Sequence, residues 1–186
     1  MLYKSITPKF FVVLSVILFA ALLRLLPHWP NFTPIAAMAL FAGTYFDRKQ
    51  YAFAIPIAAM FISDLFIGLH ANMPAVYLSF AITVVLGMAI RKKVTVGSVF
   101  MASLTSAVIF FLITNFSSWL AMNLYPKNFI GLMECYIAGL AFFGNTTYGF
   151  SFFLNDVLGT VFFGAVFYGA FYLIQMRFPV LDRSRF

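Results

Sequence analysis

Six apolar runs divide this chain, and its basic residues are sorted between the gaps. The runs cover residues 9–26, 34–46, 51–69, 75–90, 97–122 and 148–176. The N-terminus, the even-numbered gaps and the C-terminus hold Lys4, Lys9, Arg48, Lys49, Arg91, Lys92, Lys93, Arg177, Arg183 and Arg185. The odd-numbered gaps hold only Arg24, at the first, and Lys127, in the fifth. Lys and Arg in short loops are retained on the cytoplasmic side of a membrane. The pattern therefore predicts an all-α integral membrane protein, a bundle of six transmembrane helices with both termini inside. The polar clusters that carry little basic charge then lie on the outer face.

Composition agrees with that class. The chain is 63% hydrophobic and 9% charged, where soluble domains carry about 25% charged residues. Residues 1–186 read as a single transmembrane domain with no soluble part. The net charge of +7 is accounted for by the one-sided sorting, so nucleic acid is not an expected partner. The lone Cys135 excludes an internal disulfide and a cysteine metal cluster. The first run follows Lys4 and Lys9 as a signal peptide would. It ends in Arg24, Pro27, His28 and Trp29 with no small-residue cleavage site, so it is expected to remain as a helix.

The stretch 24–34 is the most irregular in the chain. Three prolines and Asn31 cannot stay helical in lipid, where unpaired backbone groups are costly. The first helix is expected to stop at Pro27, with Thr33 as N-cap of the second and Pro34 at its first position. The second run spans only about 20 Å at ~1.5 Å per residue, against a hydrocarbon core of about 30 Å. Its inner end is placed by Asp47, Arg48 and Lys49, so its outer end should sit below the surface. The Pro-rich segment folded over it as an irregular lid would make a pocket open to the outside. A kinked helix extended through 29–33 is the alternative. In the fifth run Ser98, Ala102 and Ser106 form a small face for close helix approach, and Thr160/Gly164 and Ala165/Gly169 repeat the device in the sixth. Residues 129–143 are mostly apolar and read as a helix at the outer interface or partly re-entrant.

Two carboxylates fall inside apolar runs, Asp64 and Asp156. Burying one there costs roughly 2.5–3.5 kcal/mol on insertion scales, so each should face protein or water. Each either pairs structurally, with Arg24 for instance, or lines a binding site. His70 sits on an outer loop beside Asn72 and Met73, and neutral imidazole is a common metal ligand. His28 is a weaker candidate, since it lies in the lid. A loop histidine is more often solvated, and no His, Cys, Asp and Glu cluster has metal-cage spacing. The sequons at Asn31, Asn115 and Asn145 read as helix caps. The outer-end aromatics Trp29, Phe32, Tyr77, Trp119, Tyr125, Tyr136 and Tyr148 are either an interfacial belt or walls of a pocket for a large flat ligand. No catalytic motif is present, so no enzyme activity is expected.

Several stretches taken together resemble a known group. They are 24–43 (RLLPHWPNFTPIAAMALFAG), 63–70 (SDLFIGLH), 73–80 (MPAVYLSF), 114–116 (TNF) and 125–127 (YPK). They are similar to those of a bacterial group of small transport proteins, itself similar to the substrate-binding S-components of energy-coupling-factor (ECF) vitamin transporters. The resemblance implies six helices around an outward-facing vitamin pocket in the bacterial inner membrane. The solitary cobalamin (BtuM-type) S-component is the nearest functional analogue in that class. Those proteins use a loop cysteine after the third helix as axial cobalt ligand; here His70 stands in the comparable loop. The expected ligand is then a vitamin or similar small molecule, with a corrinoid foremost. The expected site is His70 (axial to cobalt), Asp64, Asn72, Met73, Asn31, Phe32, Tyr77, Asn115, Trp119, Tyr125 and Asp156. S-components that dock on an energising module carry an Ala-x-x-x-Ala face on the first helix, and here Ala20 and Ala21 are adjacent instead. The other class considered is a non-catalytic structural subunit of a larger membrane complex. It would show a flat apolar flank and no cavity.

Overall fold

The computed structural model describes residues 7–142 and 151–181. Among these, seven α-helices and a short 3-10 turn make up the regular structure. The helices are α1 Pro8–Leu23, α2 Ile35–Tyr45, α3 Lys49–Ile67, α4 Met73–Ile90, α5 Val96–Ala121, α6 Phe129–Leu140 and α7 Phe152–Arg177. Four of them, α3, α4, α5 and α7, are long and apolar enough to cross a membrane; α1, α2 and α6 are shorter apolar helices.

Local chemistry sets most of the helix starts. Thr7 caps α1 by accepting from the Phe10 amide at 3.3 Å, with Pro8 in the first turn. Thr95 and Ser98 form a reciprocal capping box at α5. Asn128 and Ser151 cap α6 and α7 through the amides of Gly131 and Leu154. Such side-chain oxygens satisfy donors that the first helical turn leaves open.

The helix α2 is the centre of the bundle. Every residue from Ile35 to Thr44 is buried, and α1, α3, α4, α5 and α7 all pack against it. This explains how an 11-residue helix persists in an apolar protein: its surroundings are protein, so it need not match a bilayer's thickness. The long helices instead carry apolar side chains outward as well as inward. Phe66, Leu112 and Phe162 are exposed on α3, α5 and α7, as expected where the surrounding solvent is itself apolar.

The helix ends sort by charge. Lys9 at the start of α1 lies 3.5 Å from Asp47, just past α2. Arg91 at the end of α4 donates to the Gly43 and Phe46 carbonyls at 2.7 Å each. The start of α1 and the ends of α2 and α4 therefore meet at one basic end. At the opposite end, Arg24 after α1 reaches the last turns of α3.

The first helix ends at Leu23 rather than at Pro27, with Arg24 as its C-cap. Pro34, not Thr33, is the N-cap of α2, and no side chain bonds there; the Pro34 carbonyl already accepts from the Met38 amide at 2.8 Å. Residues 29–33 are not a helical extension, because Asn31 adopts a left-handed conformation (φ 62°) that breaks the helix. Asn31 is thus a turn residue, and Asn115 lies within α5, so neither caps a helix. Asn145 and Tyr148 lie outside the described residues. Ser98 is engaged in the capping box rather than in a small packing face. Gly164 does approach α5, its absent Cβ pointing at the Ser103 hydroxyl 3.3 Å away, but Gly169 meets nothing within 4 Å.

Candidate functional site

A cavity of about 500 Å³ opens at the end opposite the basic one. Five pieces of chain build it. The first is the Pro-rich lid, which contributes Asn31 and Thr33 beside Arg24. The turn at Asn31 is closed by the Phe32 amide on the Trp29 carbonyl (3.0 Å) and the Thr33 amide on the Asn31 carbonyl (2.9 Å). The lid is held onto α7, where Asn155 donates to the Pro30 carbonyl at 2.9 Å. Gly159 permits this: a Cβ there would stand 3.0 Å from the Thr33 nitrogen.

The second piece is the α3–α4 loop, with His70 and Asn72 on the cavity wall. Gly68, at φ 113°, makes the chain reversal that only glycine adopts readily. The third is the polar end of α5, where Thr114, Asn115 and Ser118 face the cavity with Phe110 and Phe111. Asn72 links loop to helix by donating toward the Thr114 carbonyl at 3.4 Å. The fourth is α6, laid across the end of α5. Tyr136 donates to the Leu112 carbonyl at 3.1 Å, and the absent Cβ of Gly139 leaves room for the Asn115 side chain. Cys135 is buried between them with its sulfur 3.6 Å from the Asn115 carbonyl. Burial pushes its thiol pKa up, with Lys127 pulling the other way, so it is a neutral packed group at physiological pH.

Asp156, in the first turns of α7, completes the wall. It is 7% exposed, and its Oδ2 has no hydrogen-bond partner among the described residues. An unpaired buried carboxyl oxygen is costly. Here it faces a cavity that also holds the Arg24 guanidinium and the amides of Asn31, Asn72 and Asn115. The chemistry on offer is hydrogen bonding by amides, hydroxyls and one carboxyl, flanked by phenylalanine rings. That combination of apolar walls with a few converging polar groups characterises small-molecule sites.

Of the residues expected at the site, the structure brings together Asn31, His70, Asn72, Asn115, Tyr125 and Asp156. It leaves Asp64, Met73, Phe32, Tyr77 and Trp119 off the cavity wall. Asp64 is 2% exposed behind Arg24, with Tyr77 donating to its Oδ2 at 2.7 Å. Phe32 turns to Phe162 and Phe163 on α7. Trp119 donates to the Pro126 carbonyl at 2.9 Å on the surface. Residues not anticipated as site-forming include Thr33, Thr114, Ser118, Phe80, Phe110 and Phe153. Thr114 and Ser118 were detectable as hydroxyls four apart within an apolar helix. The phenylalanines carried no signal among the 26 in the chain. No group of three or more His, Cys, Asp or Glu side chains able to hold a metal ion occurs among the described residues.

Residues 4–181 match a family of unknown function, DUF6580. No curated protein and no solved structure matches the chain.

Proposed function

The chain belongs to the DUF6580 family, and we propose that it is a substrate-binding membrane uptake protein that takes a small molecule from the outer side. In this reading six helices span the bacterial inner membrane, α1 to α5 and α7, with the basic end and both termini cytoplasmic. The observation that carries it is the cavity itself. Lid, loop, α5, α6 and Asp156 converge on one cavity at the end without the basic cluster. A structural subunit filling a larger complex would have no use for an unpaired carboxyl facing a cavity.

The volume lies within the ~300–1,000 Å³ typical of small-ligand pockets. A vitamin-sized molecule fits. A complete corrinoid is larger, so it would seat only its axial side in the cavity, with His70 as donor to cobalt. Because α1 lacks an Ala-x-x-x-Ala face, solitary action is favoured over docking to an ECF energising module.

Mass spectrometry and visible absorbance of protein purified without added ligand test the assignment. A small molecule should co-purify, coloured if it is a corrinoid. Replacing Asn115 with Ala or Asp156 with Asn should cut its retention about tenfold, the order expected for a lost buried hydrogen bond. Ser15→Ala, whose hydroxyl bonds the Phe11 carbonyl within α1, should leave retention unchanged. Equal loss in all three variants would mean that the changes act through folding. For a corrinoid, His70→Ala should also shift the visible spectrum.

Orientation has its own test. In a Cys135→Ala background, cysteines at Ala71 and Asn123 should react with an impermeant thiol reagent added to intact cells, and one at Gln50 should not. All three positions are exposed. Labelling at position 50 from outside would invert the site relative to the membrane and remove the uptake reading.

A further inference from the structure

Among the described residues, the cavity under the lid carries one basic side chain, Arg24, and one acidic side chain, Asp156. The two are not equivalent. Arg24 is committed to the protein: its Nη1 bonds the Ser63 hydroxyl and the Met60 carbonyl and pairs with the Asp64 carboxylate behind it. The guanidinium charge is therefore already matched. Asp156 has no such counterpart. Its Oδ2 has no hydrogen-bond partner, and it takes part in no ion pair, among the described residues. His70, Tyr125 and Cys135 are the other titratable groups on the wall. The surroundings of Asp156 are aromatic. Phe152 and Phe153 stand four and three residues before it, on the same side of α7. Phe153 meets Phe111 edge-on at 4.9 Å between ring centres, Phe152 meets Phe142 likewise at 4.9 Å, and Phe80 stacks on Phe110 at 5.7 Å. All six rings line the cavity, and the faces of such rings attract cations.

We propose that the ligand of this cavity is a small organic cation, with a protonated nitrogen bonded to Asp156 Oδ2 and a flat apolar body against the phenylalanine pairs. This names the substrate class of the uptake reading, in its vitamin-sized form, and rests on that reading. An anionic ligand would have to draw Arg24 away from Asp64, or add a second uncompensated negative charge beside Asp156. A neutral ligand could donate a hydrogen bond to Oδ2 but would leave the carboxylate charge unmatched. A cation supplies the donor and the charge together, and the bond is then charge-assisted. The same cation gains from the ring faces around it, which an anion would not.

Three probes that share an indole ring and differ in charge supply the test: tryptamine, a cation at neutral pH, tryptophol, which is neutral, and indole-3-acetate, an anion. Each is titrated calorimetrically into detergent-solubilised protein stripped of retained ligand, with detergent-only titrations subtracted. Tryptamine should bind about tenfold more tightly than tryptophol, the step from a neutral to a charge-assisted bond, and indole-3-acetate more weakly than either. Asp156→Asn should bring tryptamine down to the tryptophol value, and Ser15→Ala should keep the preference. The three probes are ranked on the parent protein, so the test does not depend on the folding of the Asp156 variant. Equal affinities, a preference for indole-3-acetate, or no binding of tryptamine at millimolar concentration would overturn the proposal. The molecule that co-purifies with the protein separates this outcome from the uptake reading. If it is neutral, anionic or a corrinoid, the cation is wrong and the uptake reading stands. If nothing co-purifies and no probe binds, both are wrong.

Discussion

Arg24→Met should destabilise the protein by about 3–5 kcal/mol, the usual consequence of stripping one partner from a buried ion pair. Arg24 Nη1 lies 2.5 Å from Asp64 Oδ1, and both side chains are largely buried. The same Nη1 reaches the Ser63 hydroxyl at 2.6 Å and the Met60 carbonyl at 3.3 Å, while Tyr77 holds the other carboxylate oxygen. One guanidinium therefore ties the end of α1 to α3, and through Asp64 to α4. Without it the carboxylate is left charged among apolar side chains, and it must either take up a proton or drag the helices apart. The double variant Arg24→Met with Asp64→Leu should recover most of the loss, because it removes both charges together. Thermal unfolding of the two variants in one detergent measures the difference. If Arg24→Met melts with the parent, the pair contributes nothing to stability. If the double variant is no better than the single, the loss comes from packing and not from the orphaned charge.

That ion pair also shows how far the sequence could be read. Asp64 stood out because a carboxylate inside an apolar run has few options, and Arg24 was an available partner. Whether Asp64 faced ligand or Arg24 depended on which side of α3 met α1, and periodicity could not say. Helices apolar on every side carry no stripe to orient them. The same blindness explains the phenylalanines. Phe80, Phe110, Phe111 and Phe153 line the cavity under the lid, while Phe66 and Phe100 are exposed, and nothing local separates the two sets. Charge and punctuation were the readable signals. The prolines at 27, 30 and 34 marked the lid, Gly68 to Pro74 marked the loop, and the polar cluster 114–118 marked the end of α5; the structure joins all three at one cavity. The cap of α2 was misread by one residue: Thr33 has the right chemistry, but the Asn31 turn carries the chain one residue further, and Pro34 is the cap with no side-chain bond to the first turn.

Gly43→Ala and Gly87→Ala should be among the most damaging single-atom additions at the described glycines. A Cβ on Gly43 would stand 2.2 Å from the Val84 carbonyl oxygen, and one on Gly87 would stand 2.2 Å from the Leu40 carbonyl oxygen. These are backbone atoms that cannot rotate away, so α2 and α4 would have to separate. The contact is reciprocal: each glycine exists to admit the other helix, as small residues do between helices in membranes. Thr44 bridges the same seam, donating to the Leu40 and Gly87 carbonyls (2.9 and 3.1 Å) and meeting the Tyr168 hydroxyl at 2.6 Å. Overpacking typically costs about 1–3 kcal/mol where side chains can yield, and the upper end or beyond is expected where only backbone can. Gly97→Ala and Gly169→Ala are the matched controls, since nothing lies within 4 Å of either added methyl. Both should be neutral or stabilising, because alanine loses less backbone entropy in a helix. The functional consequence follows from the position of α2. Ile35 at its start lines the cavity under the lid. A displaced α2 should therefore weaken ligand retention and thermal stability together, whereas Asn115→Ala at the cavity wall should weaken retention far more than stability. Gly43→Ala folding as stably as Gly97→Ala would mean that the two helices are not locked at this crossing, and the rigid centre assigned to α2 would be wrong.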